Sequence, residues 1–380
     1  MSTIPKLALI PSGYKASKVY SVLPTNGDGD FTFSRTSNAT RVNENGLIET
    51  VGSNVPRLDY SHSSCPSLLL EPQRTNLITY SEDFSQWSDE GDAFVQLSDV
   101  ISPDGNQNAY TVTNASDLSL GGDYIGRPIT GLTSSATYIF SIYIKLKTAT
   151  TVKIAIRDGS TGAVVKSSAL TAQGWNRLTV SKQNGVSTTT IAVWIGDADG
   201  TFDIWGAQLE EGSYATSYIP TEGSTVTRLA DVCNNSGSSD LINSTEGVLY
   251  AEISANGVDG GKWISLSNGT TNERVSIAFQ AEDIRLYIKN TSGLIWDYTY
   301  TSANIFNDNK IGLKYKSGDY ALWINGTEVS TSSNSNLPSG LNSLQFDSGG
   351  GSLNFYGNVK YVAVFKEALT DAELQTLTTL

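Results

Sequence analysis

The stretch Thr137-Tyr-Ile-Phe-Ser-Ile-Tyr-Ile-Lys145 decides the fold. Tyr138, Phe140, Ile142 and Ile144 alternate with residues of mixed polarity, the period-two signature of a strand with one face in a core. The same pattern returns in Val152-Lys-Ile-Ala-Ile-Arg157, Trp175-Asn-Arg-Leu-Thr-Val180, Thr188-Thr-Thr-Ile-Ala-Val-Trp-Ile195 and Thr201-Phe-Asp-Ile-Trp-Gly-Ala-Gln-Leu209. Runs of this kind, separated by Gly, Asp and Ser turns, are what two stacked antiparallel sheets require. Residues 79–226 therefore read as one full β-sandwich.

Working outward, residues 246–380 repeat the signal. Gly247-Val-Leu-Tyr-Ala-Glu-Ile253, Arg274-Val-Ser-Ile-Ala-Phe279, Ile284-Arg-Leu-Tyr-Ile288, Lys310-Ile-Gly-Leu-Lys-Tyr315, Tyr320-Ala-Leu-Trp-Ile-Asn325, Leu353-Asn-Phe-Tyr356 and Lys360-Tyr-Val-Ala-Val-Phe365 read as strands of a second sandwich. One short helix follows, with Thr370 and Glu373 spaced as a capping box. Residues 227–245 are polar and read as a linker. The first 78 residues read as a β-rich assembly or attachment segment. It holds a hairpin of Ala39–Val42 and Leu47–Val51 around Asn43-Glu-Asn-Gly46, and a strand Ser67-Leu-Leu-Leu70 that stops before Pro72. Val226-Thr-Arg-Leu229 echoes Ala39-Thr-Arg-Val42, either by chance or as a strand returning to the N-terminal region. The fold class expected is all-β: tandem antiparallel β-sandwiches with an N-terminal hairpin-rich segment and one C-terminal helix.

Composition agrees. The 380 residues include 35 Gly and 18 Tyr, are 39% hydrophobic and 17% charged, and carry a net charge of −13. Without a basic cluster to neutralise phosphates, nucleic acid is not an expected partner. No run approaches the roughly 18–20 apolar residues that cross a bilayer. The N-terminal Met1-Ser-Thr-Ile-Pro-Lys6-Leu-Ala-Leu-Ile10-Pro11 lacks the pattern of a signal peptide, so export by that route is not expected. Cys65 and Cys233 lack metal-ligand spacing; they read as two buried thiols or one long-range disulfide.

Three resemblances rest on particular residues. Gly247-Val-Leu-Tyr-Ala-Glu-Ile253, Leu322-Trp-Ile-Asn-Gly-Thr-Glu-Val329 and Val362–Leu374 resemble laminin-G/concanavalin A-like domains. Trp175–Val180 and Phe202-Asp-Ile-Trp-Gly-Ala-Gln-Leu-Glu-Glu-Gly212 resemble carbohydrate-binding-module jelly rolls. Ser34–Arg41, Pro66-Ser-Leu-Leu-Leu-Glu-Pro-Gln-Arg-Thr-Asn-Leu77, Trp205–Glu210 and Thr216–Thr221 resemble tail-fibre-like or head-decoration-like structural proteins of tailed bacteriophages. This last resemblance implies a virion-surface protein made in the host cytoplasm, with other virion proteins as partners. It implies a homo-oligomer, a trimer in the case of a fibre, and multivalent contact with host or environmental glycans. A purely structural decoration protein and an exported glycoside hydrolase are the alternatives.

The chemistry-bearing residues argue against an enzyme. His62 is the single histidine, and Tyr60-Ser-His-Ser-Ser-Cys-Pro66 lacks the surroundings of a nucleophile. Glu90-Gly-Asp92 is the nearest approach to a hydrolase acid motif, but Phe94 and Val95 stand where its last acid belongs. Sugar rings stack on aromatic faces. Trp87, Trp263, Trp296, Tyr298 and Tyr300, near turns or strand ends, are the candidate glycan contacts. Trp175, Trp194, Trp205 and Trp323 read as core. Two acidic turns are candidate calcium sites: Asn26-Gly-Asp-Gly-Asp30, and Asp197 and Asp199 with Asp203. Gly349-Gly-Gly351 reads as a flexible turn.

Overall fold

The structure, a computed structural model, describes residues 4–380; Met1, Ser2 and Thr3 of the N-terminal stretch lie outside the described residues. The chain is all-β, built of antiparallel sandwiches, with one α-helix among the described residues, Asp371–Thr378. It divides into two units: Met1–Asn38, Val51–Pro72 and Leu229–Leu380 form one, and Ala39–Thr50 with Gln73–Arg228 forms the other.

In the Gln73–Arg228 unit, two five-stranded sheets enclose a core. Thr137–Leu146 is central: it pairs with Trp175–Gln183 on one side and with Phe202–Glu211 on the other. Phe140, Ile142 and Ile144 are fully buried, the inner row the alternation predicts. Burial of each such side chain contributes roughly 1.5–3 kcal/mol. The opposite sheet runs Ser88–Glu90, Tyr124–Thr130, Thr190–Gly196, Lys153–Asp158, Val164–Lys166. The hairpin of residues 39–50 belongs to this unit, and Ile48 joins a cluster with Trp205 and Tyr218. Gly46 takes the positive φ its turn demands. Val226–Arg228 does pair back, with Arg74–Asn76.

The other unit sets an eight-stranded sheet against a five-stranded one. Leu249, Ala251 and Ile253 of Glu246–Ser254 and Ile277 and Phe279 of Arg274–Gln280 share its core. The helix is capped by Thr370 and Glu373 as the spacing predicts, and Leu374 packs with Val248, Tyr250 and Trp323. Leu353–Tyr356 forms no strand beyond a single bridge from Asn354 to Trp263.

The boundaries read from the sequence differ from these units. Residues 1–78 are shared between both. Leu7–Leu9 and Ser67–Leu70 add to Gly357–Phe365 as strands of the large sheet, while residues 39–50 go to the other sandwich. Residues 227–245 are no loose linker: Val232–Asn234 pairs with Phe31–Ser34, and Cys233 and Ile242 lie in the core. Polar composition misled because Asp231 and Ser236 are buried and bonded inside the fold.

Asp231 is the clearest case. Its carboxylate accepts from Arg35 Nη1 at 3.0 Å, from Arg57 Nη2, and from the Glu71 backbone N–H at 2.8 Å. Arg57 Nη1 reaches Glu71 at 2.6 Å, and the Arg35, Arg57 and Asp231 side chains are 0% exposed. Burial works against the Arg57 charge, but Asp231 and Glu71 more than offset it and hold its pKa above the ordinary value. Two guanidiniums and two carboxylates cancel, which is how charge is tolerated in a core.

Candidate functional site

The site lies within the Gln73–Arg228 unit. Phe84 is fully buried and anchors the single turn Phe84–Gln86, whose N-cap is Asp83. Trp87 packs against Phe84 with the rings tilted and their centroids 5.0 Å apart, and donates its indole N–H to the Tyr80 carbonyl at 3.0 Å. Ser81 fastens the segment from the other side: its hydroxyl accepts from the Thr221 N–H at 2.8 Å, while Thr221 Oγ1 donates to the Ile78 carbonyl at 2.7 Å. Tyr80, Glu82 and Asp83, with Leu97, Gln107, Asn108 and Tyr110 and the facing segment of Pro220, Thr221, Glu222, Ser224 and Val226, line a cleft of about 740 Å³.

Two adjacent carboxylates in this cleft have opposite environments. Glu82 accepts from Tyr218 Oη at 2.8 Å and from Asn108 Nδ2 at 2.9 Å. Burial raises its pKa, and the negative charges of Asp104 and Glu222 add to the rise. Asp83 accepts from the Ser85 hydroxyl at 2.5 Å and N–H at 3.1 Å and from Tyr110 Oη at 3.0 Å, and these bonds lower its pKa. The cleft thus offers two tyrosine rings (Tyr80 and Tyr110), two amides (Gln107 and Asn108) and three carboxylates (Glu82, Asp83 and Glu222). No Lys or Arg is among its lining residues.

The aromatic residues expected to contact glycans are placed elsewhere or otherwise used. Trp87, Trp263 and Trp296 are 6%, 5% and 9% exposed, so none presents a free ring face. Trp87 supports the cleft through Tyr80 rather than lining it. The Arg274 guanidinium lies over the rings of Trp263 and Tyr287, at 4.8 and 4.6 Å. Trp296 meets Tyr320 edge-on in the core, and Tyr298 and Tyr300 are half-buried against that same core. The period-two pattern puts all three on one face of Gly293–Tyr300, and that face is turned inward.

The candidate calcium ligands also disperse. Asp197 faces Lys166 at 2.9 Å and Lys153 at 3.3 Å, two cations where a metal ion would sit. Asp199 accepts from the Thr150 and Thr151 N–H groups, at 2.7 and 3.1 Å. Asp203 is fully buried and accepts from Ser98 and Thr111. In the other turn, Asp28 bonds Asn26 while Asp30 pairs with Lys18 at 3.2 Å. Among the described residues no three His, Cys, Asp or Glu side chains are placed to hold one ion.

Cys65 is exposed and Cys233 buried, and the two are unpaired thiols. His62 is exposed, with its Nδ1 2.9 Å from the Ser61 hydroxyl. Asp59 contacts that hydroxyl, whereas a catalytic relay needs the acid on the imidazole. Glu90 and Asp92 lie exposed at a sheet edge and turn. The cleft residues had one local signal in the sequence, the acid pair Glu82-Asp83 two residues after an aromatic.

No family model matches the sequence, and no curated protein is similar to it. Among solved structures it is similar to the CBM40 module of Ruminococcus gnavus IT-sialidase bound to α2,3-sialyllactose, at 17% identity and a TM-score of 0.32, covering 38% of this chain and 93% of that one. It is similar to the CBM22 tandem of Paenibacillus barcinonensis Xyn10C at 11% identity and a TM-score of 0.29, covering 77% and 98%. Mouse laminin α1 LG4-5 gives 9% identity and a TM-score of 0.27, covering 68% and 93%. At such identities and TM-scores the likenesses carry no argument about a ligand. What the fold itself defines is an all-β protein of antiparallel sandwiches.

Proposed function

We propose that this chain is a surface component of a phage particle that contacts glycans through the cleft of its Gln73–Arg228 unit. The observation that carries the glycan reading is the cleft's mixed wall. Tyrosine rings suit the C–H faces of a sugar, and the nearby amides and carboxylates suit its hydroxyls. Placement on a virion draws on the sequence resemblance of Ser34–Arg41, Pro66–Leu77 and Thr216–Thr221 to phage structural proteins. Many copies per particle would turn weak single contacts into firm attachment.

A broad glycan-array screen of the full chain tests this, with Tyr80→Ala and Gln107→Ala alongside. Selective binding, weakened about tenfold or more in either variant, is the expected result. Silence across the array from folded protein leaves the purely structural decoration role.

One observation favours a second reading, glycoside hydrolysis. Glu82 and Asp83 are neighbouring carboxylates in one cleft with pKa values moved apart, burial raising that of Glu82 and hydrogen bonds lowering that of Asp83, the kind of separation an acid and its partner carboxylate use. Release of new reducing ends from any bound glycan, abolished in Glu82→Gln, would establish it. Binding without release keeps the chain a binding protein.

A further inference from the structure

We infer that the glycan taken by the cleft carries free amino groups, so that its ligand is a cationic amino sugar rather than a neutral or acidic one. This rests on the reading of the cleft as a glycan site. The starting point is charge balance in the cavity of about 740 Å³. Glu82, Asp83 and Glu222 line it, Asp104 lies close enough to act on Glu82, and no basic residue is in the lining. The guanidinium that touches its wall is already engaged. Arg127 lies over the Tyr80 ring at 5.5 Å, donating to Thr79 Oγ1 at 2.8 Å and to the Gln86 carbonyl.

An acidic sugar would meet like charge with no cation to receive its carboxylate. A neutral sugar offers hydroxyl donors to the carboxylates but no charge to balance them. An ammonium group answers both problems, because it has three donors, and each carboxylate oxygen of Glu82 accepts only one bond from within the protein. The ring of Tyr110 attracts a cation as well. A metal ion is the competing answer. Against it, no three acidic, His or Cys side chains converge on one point among the described residues.

The test is calorimetry on the full chain at pH 6, where an aliphatic amine is a cation. The probes are a glucosamine hexasaccharide with free amines, its fully N-acetylated counterpart and a galacturonic acid oligomer. The free-amine sugar should bind about tenfold or more tightly than the N-acetylated one, and added salt should weaken it. Glu82→Gln and Glu222→Gln should each remove much of that preference; Glu222 is exposed, so its variant guards against misfolding at Glu82. Equal or tighter binding of the N-acetylated or acidic oligomer, lost in Tyr80→Ala, would overturn the amino-sugar inference while sparing the glycan site. Amine binding indifferent to both carboxylate variants would overturn it too. If neither these oligomers nor the array glycans bind, the glycan reading itself falls, and this inference with it.

Discussion

Asp231 and Glu71 in one unit, and Glu82 and Asp83 in the other, are pairs of carboxylates held in place by very different means. The first pair is sealed in a core with Arg35 and Arg57, charge against charge. The second pair relies on neutral donors, the hydroxyls of Tyr218, Tyr110 and Ser85 and the amide of Asn108. Guanidinium pairing satisfies a carboxylate and leaves nothing for a ligand. Hydroxyl and amide donors hold a carboxylate in place with its charge uncancelled. The difference separates a structural use of acids from a use available to binding.

The largest test of this contrast is Arg57→Ala. It leaves Asp231 and Glu71 buried beside one guanidinium instead of two, and should cost about 3–5 kcal/mol in denaturant unfolding. A loss below about 1 kcal/mol would mean the network is not the clasp its burial suggests. Next is Trp87→Phe, which keeps most of the ring packing and deletes the donor to the Tyr80 carbonyl. A cost of about 1–3 kcal/mol is expected, with weakened glycan binding, because the cleft wall loses its support. Unchanged binding would show that Tyr80 is placed by other contacts.

The smallest effect is one of slope. Burial raises the Glu82 pKa, so the native protein holds that proton more tightly than the unfolded chain does. The resulting stabilisation is complete below the unfolded value, about 4.3, and is lost as pH rises through the higher folded value. Glu82→Gln removes this dependence. Melting curves from pH 4 to 7 should therefore show the wild type losing stability relative to the variant as pH rises. The opposite slope would mean that its hydrogen bonds outweigh burial.

Much of this was legible in the chain. Thr137–Leu146 and Phe202–Glu211 announce themselves by alternation, Asn43–Gly46 by its turn chemistry, and Thr370 with Glu373 by the capping spacing. Those signals are local, set by neighbours two to four residues away, so a sequence determines them by itself. Whether Trp263 and Trp296 look inward or outward is not local. Alternation says that residues share a face, but only packing of the second sheet says which face is covered. The segments holding Arg57 and Asp231 read as attachment segment and linker, because a polar residue looks the same in sequence whether solvent or a buried partner satisfies it. The cleft is the furthest from local determination. Tyr80, Asn108 and Glu222 meet only after strands distant in the chain have paired, so tertiary structure alone could assemble their chemistry.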